Sequence, residues 1–171
     1  MRLLMKERLF SLKDRYDITD EQGRTVFTIV GKFFSFLNKL SVYDAAGNEV
    51  AVIDQRLISF SPTYDIIRGG QTIATVNKKL FTLFRHRFLV DVPGPDDIEA
   101  RGSFWDREYV FELHGQEVAR ASRAFFSIRD SYGIEIGDGV DPVLIVAAAV
   151  VIDLVLHDER NAAAAAASSA M

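Results

Sequence analysis

The sequence predicts an all-β barrel that closes around a single apolar helix. Turn signals recur at a nearly constant interval over residues 3–137, and one long apolar run, Pro142 to Leu156, follows them. A run that is apolar on nearly all sides must be buried in a protein core or in lipid. A sheet of about ten to twelve antiparallel strands must close to remove its edges, and a barrel of that size leaves an interior that a helix can fill.

The turn signals are five glycines spaced 24, 23, 24 and 21 residues apart. They are Gly23, Gly47, Gly70, Gly94 and Gly115. Four of them begin segments of alternating apolar and small residues, GRTVFTI, GNEVAVI, GQTIATV and GQEVARA, whereas GPDDIEA indicates a looser turn or an edge. An interval of this length accommodates two strands and two turns, so we expect hairpins at Gly23, Gly47, Gly70 and Gly115. The apolar residues three positions further on should then point inward; they are Val26, Val50, Ile73 and Val118.

The apolar run carries helix signals at its start. Asp141 is a natural N-cap, and Pro142 suits the first helical position. We predict a central helix over residues 142–157, with Val146, Ala149 and Val150 almost fully buried. It is short for a bilayer span, and Asp153 would be costly at membrane depth. Residues 1–158 then form one domain, and the alanine-rich residues 159–171 form a disordered tail or extend the helix.

Composition excludes several classes of protein. The chain has 171 residues, a net charge of −4 and no cysteine, so thiolate metal sites and disulfides are ruled out and a strong nucleic-acid signal is lacking. The N-terminus MRLLMKERLF lacks the apolar core of a signal peptide. We expect no transmembrane span and a cytoplasmic protein, with peripheral attachment to a membrane as an open alternative.

The chain resembles the LURP-one-related family, whose members share the tubby-like fold with phospholipid scramblases. The resemblance spans roughly residues 1–158. The segments that carry it are LLMKERLFSLKDRYDITDEQG, KLSVYDAAGNEVAVI, KLFTLFRHRFLVDVPG, SIRDSYGIEI and the acidic lead DGVDP into the helix. It implies a closed antiparallel β-barrel of about twelve strands that encloses a central hydrophobic C-terminal α-helix, in agreement with the pattern of turns and strands.

No catalytic or metal-binding constellation is recognisable, so we expect no enzyme, no cofactor and no metal. The histidines His86, His114 and His157 lie in different segments without paired spacing. Asp153 and His157 share a helix face. Either they form a polar pair that holds a ligand or a proton, or Asp153 lies near the barrel mouth, hydrated or bonded to a strand, with His157 as a C-terminal cation. An acidic cluster follows β-like sequence but lacks the spacing of a calcium-binding EF-hand loop. Its members are Asp130, Glu135, Asp138 and Asp141.

The segment Ile66–Val90 is the most informative charge feature. It contains five Lys and Arg residues and no Asp or Glu, with phenylalanines interleaved. The candidate anionic-ligand patch on the barrel exterior is Lys78, Lys79, Arg85 and Arg87. Phosphoinositide headgroups or other acidic lipids would suit such a patch. The alternative is an ordinary solvated face.

Two classes of function remain open. The first is a non-enzymatic binding or interaction module that recognises anionic lipid headgroups, nucleic acid or a protein partner through the barrel exterior. The second is a membrane-associated, phospholipid scramblase-like protein with the C-terminal helix as an anchor. Asp153, the helix length and the absence of a basic flank just before Pro142 favour the first.

Overall fold

The chain folds into a closed antiparallel barrel of twelve strands with one helix through its centre, as predicted. The computed structural model describes residues 1–8, 15–31, 39–79, 87–125 and 131–169. The strands are β1 (Arg2–Arg8), β2 (Arg15–Thr19), β3 (Thr25–Gly31), β4 (Lys39–Asp44), β5 (Glu49–Gln55), β6 (Thr63–Arg68), β7 (Gln71–Lys78), β8 (Arg87–Asp91), β9 (Ile98–Ser103), β10 (Glu108–Leu113), β11 (Gln116–Ser122) and β12 (Ser131–Ile136). A 3-10 turn (Arg123–Phe125) precedes β12, and the helix α1 spans Pro142–Ser169.

The strands form a simple meander in which each pairs with its neighbours in sequence. The barrel closes where β1 pairs with β12, in the register Arg2↔Glu135 to Lys6↔Ser131. The N-terminal amine of Met1 donates a hydrogen bond to the Ile136 carbonyl at 2.7 Å, which fixes the start of the chain to the end of the sheet. Closure leaves none of the twelve described strands at a sheet edge.

The four predicted hairpin turns are present, but the side chains after them are shifted by one residue. Gly23, Gly47, Gly70 and Gly115 have φ values of 76°, 85°, 78° and 76°, which glycine adopts without strain. A bulge accompanies each of these turns and adds one residue to the strand pair. The prediction for Val26, Val50, Ile73 and Val118 is therefore wrong by one position, since these side chains are half-buried. The next residues are the buried ones: Phe27, Ala51, Ala74 and Ala119.

The first half of α1 is the core around which the strands close. Val146, Ala149 and Val150 are completely buried, which confirms the central-helix prediction. The Asp141 carboxylate accepts a hydrogen bond from the Val143 amide at 2.9 Å, the geometry of an N-cap. Helical structure continues beyond the barrel to Ser169, so the alanine run is helical and solvent-exposed.

The two ends of the barrel differ, and we name them by the course of α1. At the cap end lie Asp141 and the connections 20–24, 45–48, 69–70, 92–97, 114–115 and 137–141. At the exit end α1 leaves the barrel beside the described connections 56–62, Lys79, 104–107 and 123–125. Alternate connections of a meander lie at opposite ends because every strand reverses the chain direction.

Candidate functional site at the exit end

Lys78 lies inside the barrel, which corrects the prediction that it belongs to an exterior patch. It is the last residue of β7, on the inward face with Ala74 and Val76, and only 9% of it is exposed. Its ammonium group forms an ion pair with Glu159 of α1. The alternation of side chains along β7 puts Lys78 on the opposite face from Asn77, so this cation holds the helix rather than an external ligand.

Lys79 and Arg87 do lie together on the exterior of the exit end. The Lys79 amide donates to the Arg87 carbonyl at 2.9 Å, which continues the β7–β8 ladder by one residue. Lys79 is exposed and Arg87 is half-exposed. Arg101 of β9 is the direct cross-strand neighbour of Arg87 and extends this row of cations. Arg85, the fourth predicted patch residue, lies outside the described residues.

Glutamates from the next strands partly neutralise this row. Glu99 lies 3.3 Å from Arg87 and 2.8 Å from Arg101, measured between guanidinium nitrogen and carboxylate oxygen. Glu112 lies 3.4 Å from Arg101. The hydrogen bond from Arg101, followed by the charges of Arg101, Lys79 and Arg87, outweighs burial and lowers the pKa of Glu99. Sequence inspection of Ile66–Val90 alone misses these acids, because they reach the cations only through strand pairing.

The connections at the two barrel ends carry opposite charges. At the cap end the charged connecting residues are Asp20, Glu21, Arg24, Asp96, Asp97, Asp138 and Asp141. At the exit end those in the described connections are Arg56, Lys79, Asp106, Arg107 and Arg123. Acids therefore predominate among the cap-end connections and bases among the described exit-end connections, although Arg56 pairs with Asp65 and α1 adds Asp158 and Glu159 at the exit end. The described connections thus give the barrel a charge asymmetry along its axis.

The interior of the exit end holds a polar cluster around Asp153 of α1. The Tyr132 hydroxyl donates a hydrogen bond to the Asp153 carboxylate at 3.0 Å, and the Arg107 guanidinium lies 3.6 Å from the other carboxylate oxygen. Arg107 also stacks over the Tyr132 ring, 4.9 Å from its centroid. Asp153 is therefore buried and bonded to a strand, the simpler of its two predicted roles. His157 is exposed and lies within a helix that continues to Ser169, so its assignment as the C-terminal cation is wrong.

Buried tyrosines surround this level of the barrel. Each is the second residue of a strand that begins at the exit end. The sequence displays this pattern, but the turn and strand signals alone do not single it out. They are Tyr16, Tyr64, Tyr109 and Tyr132. Burial, followed by the Asp153 charge, raises the pKa values of Tyr109 and Tyr132 well above the ordinary range, so both stay protonated. The Tyr109 hydroxyl has no well-aligned hydrogen bond, although Tyr132 is close enough to affect its pKa.

The other histidines and acidic residues considered in the sequence analysis do not come together in one site. His114 lies at the cap end, 3.0 Å from Asp96, and His86 is outside the described residues. Of the acidic cluster, Glu135 pairs with Arg2, whereas Asp141 pairs with Arg68 and caps α1; Asp130 is likewise outside the described part. Within the described ranges, no three histidine or acidic side chains are grouped so that they could hold a metal ion. Across the same ranges, no helix combines the length and apolarity that a membrane crossing requires.

Comparisons with known proteins agree on one family and one fold. A family model described as LURP-one-related matches residues 1–153. The uncharacterized protein YxjI of Bacillus subtilis (strain 168) is 33% identical over 159 residues, which cover 92% of this chain and 94% of that protein. Protein LURP-one-related 15 of Arabidopsis thaliana is 22% identical over 170 residues, covering 89% and 78% of the two chains. An X-ray structure of a protein from Arabidopsis thaliana superposes with a TM-score of 0.67 at 20% identity, over 89% of this chain and 90% of that one.

Proposed function

The chain belongs to the LURP-one-related family, and from that premise we propose that it is a non-catalytic binding module for anionic lipid headgroups, phosphoinositides in particular. The binding surface is the exterior of the exit end, where Lys79 and Arg87 lie. The observation that carries the proposal is the charge asymmetry between the two barrel ends. An anionic surface attracts the basic exit end and repels the acidic cap end, so the asymmetry both strengthens binding and orients the barrel.

The pairing of Arg87 and Arg101 with Glu99 limits the strength of this site. A paired cation contributes less to an external field than a solitary one, while Lys79 forms no ion pair with the described residues. Each cation near an anionic membrane contributes about 1 kcal/mol, so a few of them give weak, reversible binding. Such binding should respond steeply to salt, since the screening length is about 10 Å at 0.1 M and about 3 Å at 1 M.

The scramblase-like alternative is less compatible with the geometry. An anchor must present an apolar helix surface to lipid, whereas residues 143–153 of α1 are all buried by the barrel strands. The part of α1 after Leu156 consists of charged and polar residues and alanines, which supply little apolar surface. Helix insertion would therefore require the barrel to open and lose its core.

Vesicle co-sedimentation tests the proposal. The wild-type chain should bind vesicles of phosphatidylcholine that contain a phosphoinositide at low salt and should be released at high salt. The double substitution Lys79→Glu/Arg87→Glu should weaken binding about tenfold or more. The matched control, Arg24→Glu/Arg68→Glu, makes the same change in net charge at the cap end and should bind like wild type.

Two results would refute the proposal. The first is a wild-type chain that ignores the vesicles at low salt, and the second is an exit-end variant that binds as well as the cap-end variant. The double substitution Arg85→Glu/Arg87→Glu extends the test to Arg85, the predicted patch residue outside the described ranges. Thermal unfolding of all variants verifies that they fold.

A further inference from the structure

The exit end also carries an unusual exposed apolar segment, the connection 56–62 between β5 and β6. Leu57, Ile58 and Phe60 are exposed to 65%, 97% and 106% of their reference areas. Across the described residues the other exposed large hydrophobic side chain is Met1, at the chain terminus. Single exposed apolar residues are ordinary, but three in four consecutive positions form a patch that marks an interaction site.

The segment is braced at its base, so its apolar side chains are presented on a defined support. The Arg56 amide donates to the Thr63 carbonyl at 2.9 Å and closes the loop. The Arg56 guanidinium forms a bidentate pair with the Asp65 carboxylate, with nitrogen–oxygen distances of 2.7 and 2.8 Å. The Thr63 hydroxyl donates to the Ser61 carbonyl at 2.9 Å. At the tip the Ser59 hydroxyl donates to the Ser61 carbonyl, while the three apolar side chains stay exposed.

The surroundings of the tip favour a bilayer as the partner. It lies at the same barrel end as Lys79 and Arg87, two strands away along the meander, and opposite the acidic connections of the cap end. Exposed aliphatic and aromatic side chains next to cations match the interface of an anionic membrane, where acyl chains and headgroups are adjacent.

We propose that Leu57, Ile58 and Phe60 form an insertion tip that enters the interfacial region of an anionic bilayer while the exit-end cations bind its headgroups. The inference rests on the proposed function, because the charge asymmetry is what brings this end of the barrel to the membrane. The barrel stays closed, and the buried part of α1, up to Leu156, remains inside it. The exit end then faces the membrane, with the exposed residues 157–169 of α1 leaving the barrel on the same side, and the cap end faces water.

Because the chain contains no cysteine, a single introduced cysteine can be labelled specifically. Phe60→Cys provides a unique site for an environment-sensitive fluorophore, and Ala46→Cys provides the matched label on an exposed turn at the cap end. With vesicles of phosphatidylcholine and a phosphoinositide, the label at position 60 should shift to the blue and be quenched by brominated acyl chains. The label at position 46 should do neither.

A second experiment separates insertion from headgroup binding. Ile58→Ser/Phe60→Ser should weaken binding to the same vesicles about tenfold to a hundredfold, because it removes the apolar surface that lipid would cover. Binding of soluble inositol trisphosphate should be unchanged in this variant and reduced in Lys79→Glu/Arg87→Glu. Because the two serine positions are exposed, the unfolding midpoint should stay at the wild-type value.

The outcomes distinguish the two proposals. If wild type binds the vesicles while the label at position 60 remains in water, or if the serine variant binds them as tightly as wild type, the insertion tip is refuted and headgroup binding stands. If wild type binds neither vesicles nor inositol trisphosphate, the proposed function fails and the insertion tip fails with it. A serine variant that instead abolishes concentration-dependent self-association in sedimentation, with no effect on vesicles, assigns the tip to a contact between copies of the chain.

Discussion

The cap end and the exit end of this barrel are built from the same twelve strands but by different means. The cap end uses short connections in which glycine at positive φ reverses the chain, and its charged groups are mostly acidic. The exit end surrounds the departing helix with tyrosines, Asp153 and the Lys78–Glu159 pair, and it exposes cations and an apolar tip outside. The cap end closes hairpins and caps the start of α1, whereas the exit end holds the departing helix and carries the surface that we propose binds a ligand.

The largest expected effect concerns the helical core that both ends share. Val150→Asp places an unpaired charge among fully buried apolar groups and should destabilise the fold by about 4 kcal/mol or more. Ala162→Asp, on the exposed part of the same helix, should change stability by less than about 0.5 kcal/mol. Urea unfolding measures both. Similar losses for the two variants would contradict a barrel built around residues 142–157.

The two attachments of α1 should differ in strength. Asp153→Ala at the exit end breaks a buried interaction with Tyr132 and Arg107 and should cost about 3 kcal/mol. Asp141→Ala at the cap end removes an N-cap and a partly exposed pair with Arg68 and should cost about 1 kcal/mol. Chemical unfolding of both variants compares them directly. A larger loss at Asp141 would mean that the helix is held chiefly where it enters the barrel.

Glycine substitutions should also reduce stability by different amounts at the two barrel ends. A Cβ atom at Gly102, near the exit end, would lie 2.5 Å from the Glu108 carbonyl oxygen and 2.7 Å from the Tyr109 Cα, so Gly102→Ala must displace backbone. At Gly47 the φ of +85° is unfavourable for alanine, but no atom lies within 4 Å of the added carbon. We expect losses of about 3 kcal/mol for Gly102→Ala and about 1 kcal/mol for Gly47→Ala in thermal unfolding. Equal losses would show that backbone conformation alone decides the cost.

The smallest expected effect is the pH dependence of the brace beneath the insertion tip. Burial by itself would raise the pKa of Asp65, but hydrogen bonds from Arg56 and Thr75 outweigh it and hold the pKa below its ordinary value. A depressed folded-state pKa contributes stability above the unfolded value of about 3.9, and that contribution is lost as the pH falls through the folded value. Arg56→Gln should therefore lower stability by less than about 1 kcal/mol at pH 7.

The same substitution should have no effect once Asp65 is protonated in strong acid. Thermal unfolding over a pH series measures the difference between wild type and the variant. Arg24→Gln, which removes the exposed pair with Asp20 at the cap end, is the comparison and should follow the same pH trend, because desolvation is outweighed by hydrogen bonds from Arg24, which lower the pKa of Asp20. A difference that grows as the pH falls would contradict this account of Asp65.

Local sequence determines the elements of this protein and much of its architecture. Glycines at a steady interval, alternating apolar residues and a capped apolar run each report on neighbours a few residues away, and these features predict the hairpins, the closed barrel and the central helix. The sequence also predicts that the apolar part of α1 is buried, because a helix that is apolar on every side must lie in a protein core or in lipid. The tyrosine at the second position of four strands is also visible in the sequence. What the sequence does not show is that these four side chains lie at the same level of the barrel.

Tertiary structure decided everything that depends on which face a side chain takes or which strand lies beside it. One bulged residue after the Gly23 turn moved the buried position from Val26 to Phe27, since side chains alternate with a period of two. The turns at Gly47, Gly70 and Gly115 have the same effect. The same alternation took Lys78 inside to meet Glu159, 81 residues later, and left Lys79 outside. Glu99 meets Arg87, and Asp153 meets Tyr132, only because pairing and closure bring distant segments together. Charge balance and exposure are properties of these contacts in space, and no local stretch of sequence contains them.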